Sequence, residues 1–83
     1  MRVNVKLYAG LSEFLPPGSV DQSMTVQIPA GAPISRILDQ ISVPRERVHL
    51  VLLNGLYVKP EDRASTVPAD GDTLALWPPV AGG

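Results

Sequence analysis

The stretch Pro33-Ile34-Ser35-Arg36-Ile37-Leu38-Asp39-Gln40-Ile41 decides how this chain folds. Ile34, Ile37, Leu38 and Ile41 fall at i, i+3, i+4 and i+7, one stripe along a helix, and Pro33 has the fixed φ suited to the first helical position. The helix ends before Pro44, because the residue preceding a proline is pushed out of the α region. No Ser, Thr, Asp or Asn stands at residues 31 or 32 to cap it, so burial of the stripe must hold it. The sequence carries no second stripe of this quality. A lone helix with one apolar stripe needs one sheet face to lie on.

The segments on either side supply that sheet. Val3, Val5, Leu7 and Ala9 alternate with Arg2, Asn4, Lys6 and Tyr8, the period of two expected of a half-buried strand over residues 2 to 9. Leu11, Phe14 and Leu15 follow in a piece too short for a stable helix, broken by Pro16-Pro17-Gly18. Met24, Val26 and Ile28 mark a second strand over about 22 to 28, pairing with the first as a hairpin with a long loop. Beyond the helix, Val48 to Leu53 is apolar on both faces, as suits a strand covered on both sides or one offering an exposed apolar face. Asn54-Gly55 predicts a type I′ turn into Leu56-Tyr57-Val58. Pro60 to Pro68 reads as a loop with Glu61, Asp62 and Arg63 solvated, Asp70-Gly71-Asp72 as a tight turn, and Thr73 to Trp77 as the last strand, stopped by Pro78-Pro79. The economical arrangement is a mixed sheet of about five strands wrapped round one main helix, an α+β fold of the ubiquitin-like β-grasp kind.

Composition narrows the function. At 83 residues the chain is one domain, expected over 1–77, with a flexible tail over 78–83. Seven basic against eight acidic residues give a net charge of −1, so nothing draws the whole molecule toward nucleic acid or an acidic membrane. The longest aliphatic run, Leu50 to Leu53, is far too short to cross a bilayer, and a cytoplasmic protein is expected. There is no cysteine, which excludes a disulfide framework, a thiolate metal site and a Cys nucleophile. The one histidine, His49, lies in an apolar stretch and reads as a strand residue. Asp70 and Asp72 read as turn formers rather than cation ligands. A domain this small has little room for an enclosed pocket beside its core, so neither self-contained catalysis nor a bound cofactor or metal is expected.

The end of the chain carries the chemistry instead. Pro78-Pro79 stiffens the exit from the last strand, and Val80-Ala81-Gly82-Gly83 would reach up to about 13 Å further as a thin probe with a carboxylate at its tip. Small side chains suit a tail that threads a narrow channel, and glycine lets the backbone approach catalytic groups closely. The segments Val5-Lys6-Leu7-Tyr8-Ala9, Leu11 to Phe14, Leu53-Asn54-Gly55, Asp70-Gly71-Asp72 and Trp77-Pro78-Pro79-Val80-Ala81-Gly82-Gly83 together resemble the MoaD/ThiS-type ubiquitin-like sulfur carriers. The proline pair before the diglycine is most similar to the small subunit of molybdopterin synthase. A departure is the Pro-rich stretch around Pro16-Pro17-Gly18, with a long segment to residue 24.

The resemblance implies a carrier without an active site of its own. An E1-like adenylating enzyme of the MoeB/ThiF type would use ATP and magnesium to activate the Gly83 carboxylate. A persulfide donor would then convert it to a thiocarboxylate, and a MoaE-type molybdopterin synthase large subunit would accept the sulfur. The family docks through an apolar sheet face, which implies Tyr8, Tyr57 and Trp77 as contact residues. Sulfur delivery to thiamine, tungsten cofactor, cysteine or another thiolated product, covalent protein tagging, and a passive binding module remain alternative readings of the same residues.

Overall fold

The computed structural model describes residues 1–79. The tail residues Val80, Ala81, Gly82 and Gly83 lie outside them. Five strands, β1 (Arg2–Leu7), β2 (Ser23–Gln27), β3 (Leu50–Leu53), β4 (Leu56–Tyr57) and β5 (Thr73–Trp77), form one sheet in the order β2-β1-β5-β3-β4. β1 and β5 run parallel at its centre, and every other pair is antiparallel. The helix α1 (Ile34–Gln40) provides the other layer. This mixed sheet with one main helix is the ubiquitin-like β-grasp.

Alternation in the strands sets what is covered. Val3, Val5 and Leu7 of β1, Val51 of β3, and Leu74 and Leu76 of β5 have no exposed surface, and they form one core with Ile34, Ile37 and Leu38 of α1. At roughly 25 cal/mol per Å² of apolar area removed from water, this shared surface is what holds an uncapped helix of seven residues in place. Ile41, the last residue of the stripe, is packed against the core but only partly buried.

Several boundaries differ from the sequence expectation, each for a local reason. β1 stops at Leu7 because Ala9 adopts φ +51° and begins a 3-10 turn over Ala9–Phe14. Pro33 is not the first helical residue; its extended backbone (φ −79°, ψ 170°) makes it the residue that precedes the helix. The chain turns out of α1 at Ser42, whose φ is +60°. β3 begins at Leu50 rather than Val48, after a 3-10 turn at Arg45–Arg47. Asn54 and Gly55 both have positive φ (51° and 83°), as a type I′ turn requires.

Arg63 is the clearest correction. It is not solvated: the 3-10 turn Pro60–Asp62 folds the loop beneath the start of β3, leaving Arg63 9% exposed. Its guanidinium donates to the carbonyls of His49 at 3.1 Å and Val48 at 3.4 Å, while Nε has no partner among the described residues. Burial lowers its pKa from the ordinary arginine value, partly offset by Tyr57. Asp70 and Asp72 act as turn formers. Asp70 accepts from the Arg2 backbone N–H at 2.7 Å, tying the turn before β5 to the start of β1, and Asp72 accepts from the Ala69 backbone N–H at 2.8 Å within the turn itself.

Candidate functional site

The face of the sheet away from α1 is built from the alternate strand positions. In β1 these are Arg2, Asn4, Lys6 and Tyr8, the last just beyond the strand; in β5 they are Thr73, Ala75 and Trp77. Register joins Lys6, Ala75, Leu52 and Tyr57 into one row across four strands. A second row runs Tyr8, Trp77, Leu50. The Tyr8 and Trp77 rings stack with centroids 4.5 Å apart and planes 9° from parallel. Such a pair contributes about 1 kcal/mol beyond its buried area, and it fixes two aromatic surfaces beside the last strand residue. Tyr57 is 57% exposed on the edge strand, and Leu56 beside it 74%. The three aromatics therefore share one face, with Leu50, Leu52 and Ala75 bridging them.

The tail leaves from this face. The Trp77 carbonyl accepts from the His49 backbone N–H at 2.8 Å, so Trp77 is pinned on both sides, by β3 and by its stack on Tyr8. Pro78 and Pro79 follow along the wall of an apolar concavity of about 730 Å³, whose other walls include Ala9, Gly10, Leu50 and Trp77, with Glu46, Arg47 and His49 also lining it. Arg47 holds two of those walls together. It donates to Glu13 at 2.8 Å, approaches the Gly10 carbonyl at 3.4 Å and lies 5.2 Å from the Phe14 ring centroid, so the Ala9–Phe14 turn is tied to the Arg45–Arg47 turn. His49 is not a strand residue as the sequence suggested: it is exposed, one position before β3, and its backbone does the anchoring.

Sequence reasoning named the aromatics but not the concavity. Its walls come from three separated segments, two of them short turns, and no periodicity links them. Among the described residues no group of three or more His, Asp or Glu side chains could hold a metal ion, and no helix is long and apolar enough to cross a membrane. The face is apolar and aromatic, and Pro78 and Pro79 stand at its rim.

Residues 5–83 match the ThiS family. The chain belongs to the ThiS family. Among solved structures this ThiS-family chain is similar to small archaeal modifier protein 1, SAMP1, from Haloferax volcanii, at 27% identity over the whole of both chains with a TM-score of 0.73. It shares its fold with the thiamine biosynthesis protein ThiS from Geobacter metallireducens, 22% identical over 96% of this chain and 99% of that one, TM-score 0.63. A third is a chain of the complex of subunits 1 and 2 of the molybdopterin-converting factor from Helicobacter pylori, 22% identical over the whole of both chains, TM-score 0.58. No match is found among the curated proteins. The chain is thus a ubiquitin-like protein of the sulfur-carrier type, and the solved structures that share its fold serve more than one pathway.

Proposed function

We propose that this ThiS-family protein carries sulfur as a C-terminal thiocarboxylate for molybdopterin synthesis. The observation that carries the reading is the order of features at the end of the chain: an aromatic docking face, a pinned Trp77, then Pro78-Pro79-Val80-Ala81-Gly82-Gly83. An E1-like adenylating enzyme of the MoeB/ThiF type would dock on the sheet face and receive the tail. There ATP and magnesium turn the Gly83 carboxylate, a poor electrophile, into an acyl-adenylate with a phosphoryl leaving group. The outer sulfur of a persulfide donor attacks the acyl-adenylate and displaces AMP, giving an acyl disulfide. A second thiol on the donor side cleaves its S–S bond, is oxidised to a disulfide with the donor, and releases the thiocarboxylate, a soft nucleophile on a narrow leash. A MoaE-type large subunit of molybdopterin synthase would then take the tail and use that sulfur. The H. pylori structure of similar fold, solved as a complex of subunits 1 and 2, supports a partner of this kind. With no cysteine in the chain, the loaded sulfur meets no internal thiol with which to exchange.

A second reading, covalent attachment to lysines of other proteins, is favoured by the similarity to SAMP1, named as a modifier. It starts from the same adenylate and differs only in the nucleophile that follows. Intact-mass measurement on protein produced with its adenylating enzyme and sulfur donor separates the two. The carrier reading expects one oxygen replaced by sulfur, lost when Gly83 is deleted, and copurification with a synthase large subunit. Adducts on target lysines without a thiocarboxylate would establish the modifier. Copurification with a thiazole synthase would move the carrier to thiamine.

A further inference from the structure

Along its strands the sheet face that the proposed function uses for docking is electrostatically one-sided, with Glu46 the carboxylate lining the concavity at its Trp77 end. At its outward strand positions the only ionisable groups besides Tyr8 and Tyr57 are Arg2 and Lys6; no carboxylate stands at any of them. All eight acidic residues lie in α1, in turns or in loops. The two lysines of the chain border the apolar band from opposite sides. Lys6 sits at one end of the row Lys6, Ala75, Leu52, Tyr57. Lys59 lies two residues beyond Tyr57, past the core-facing Val58, on extended backbone (φ −64°, ψ 151°), and alternation brings it to the side of Tyr57. The two salt bridges among the described residues, Arg45 with Asp39 and Arg47 with Glu13, involve neither lysine.

Resting on the reading that this face docks the carrier's partners, we propose that Lys6 and Lys59 are its specificity-determining residues. The fitting partner surface is an apolar ridge flanked by carboxylates. The ridge covers Trp77, Leu50, Leu52 and Tyr57, and a carboxylate meets each lysine at the margin. A partner that covers the ridge without supplying acids strips water from two ammonium groups and returns nothing, so it is disfavoured. One that supplies them gains faster encounter from complementary local fields, although the whole chain carries a net charge of −1. Lys6 is half-buried and Lys59 exposed, so neither ammonium group has to leave water in the free protein.

Stopped-flow association of the full chain with the purified E1-like adenylating enzyme of the same cell, at low and high salt, tests this. Lys6→Glu should slow association about tenfold at low salt and change dissociation less, and the Lys6→Glu/Lys59→Glu double variant should be slower still. Lys6→Arg should behave as wild type, and high salt should erase most of the difference between wild type and the Glu variants. Circular dichroism checks that each variant folds. Trp77→Glu serves as reference. If the double charge reversal associates as wild type does while Trp77→Glu loses binding, the face docks by apolar contact alone and the charge assignment is overturned. If Trp77→Glu also binds normally, the docking reading itself fails, and this proposal with it.

Discussion

Asn54 joins the β3–β4 turn to the strand that leads into the tail, and its replacement has a magnitude that can be worked from the structure. Its backbone adopts φ +51°, its Oδ1 accepts from the Thr73 backbone N–H at 2.9 Å, and its own N–H donates to the Thr73 carbonyl at 2.8 Å. Asn54→Ala keeps the backbone bond and removes the side-chain one, a loss of about 1 kcal/mol. It also forces a Cβ-bearing residue without a local polar partner into the left-handed region, a further cost of about 1 kcal/mol. The sum of about 2 kcal/mol corresponds to a fall in Tm of roughly 8–16 °C for a domain of this size. Asn54→Gly loses the same bond without the steric cost, so about 1 kcal/mol, or about half the fall in Tm, is expected. Thermal melts at neutral pH, followed by circular dichroism, compare the two. Equal destabilisation by Ala and Gly would refute the backbone argument, and a negligible effect of both would refute the hydrogen-bond argument.

The same residue also has a pH signature. A hydrogen bond from the Asn54 side chain, and then one from the Ala69 backbone, hold the Asp72 carboxyl below its ordinary value. A depressed carboxyl stabilises the fold above its unfolded pKa, and that contribution is lost as pH falls through the folded value. In Asn54→Ala the larger cause is gone. The gap in Tm between wild type and variant should therefore narrow as the pH drops below the usual carboxylate range.

Other outcomes follow from the same geometry. Trp77→Glu should leave the chain folded, since the side chain is half-buried outside the core and the stack adds only about 1 kcal/mol to its buried area, yet weaken binding to the adenylating enzyme by roughly 2 kcal/mol or more as read by calorimetry. Gly82→Val should dock normally and be slowed on the order of a hundredfold in adenylation, sulfur transfer or both, because a branched side chain misplaces a tail that must be threaded; single-turnover rates equal to wild type would show that the diglycine is not a steric requirement. Arg63→Met should cost about 2 kcal/mol in urea unfolding, because the Val48 and His49 carbonyls lose their buried donor. A variant more stable than wild type would show that desolvating the cation outweighs what its bonds return.

The sequence by itself determined the elements. Period-two alternation in Val3-Asn4-Val5-Lys6-Leu7 and Thr73-Leu74-Ala75-Leu76-Trp77, the stripe from Ile34 to Ile41 and the Asn54-Gly55 turn each rest on local sterics and on which side chains avoid water, and local signals of that kind are written into neighbouring residues. The same alternation put Tyr8, Trp77 and Lys6 at outward positions. Tertiary structure alone decided what lay between distant segments. It brought Tyr8 and Trp77 into a stack across 69 positions of chain by pairing β1 with β5 in parallel. It assembled the concavity beside Pro78 and Pro79 from turns with no common period, and it buried Arg63, whose loop composition signals only solvent. The physical reason is that register between non-adjacent strands and the covering of a loop depend on how the whole core closes, a sum over many contacts that no short window of sequence contains.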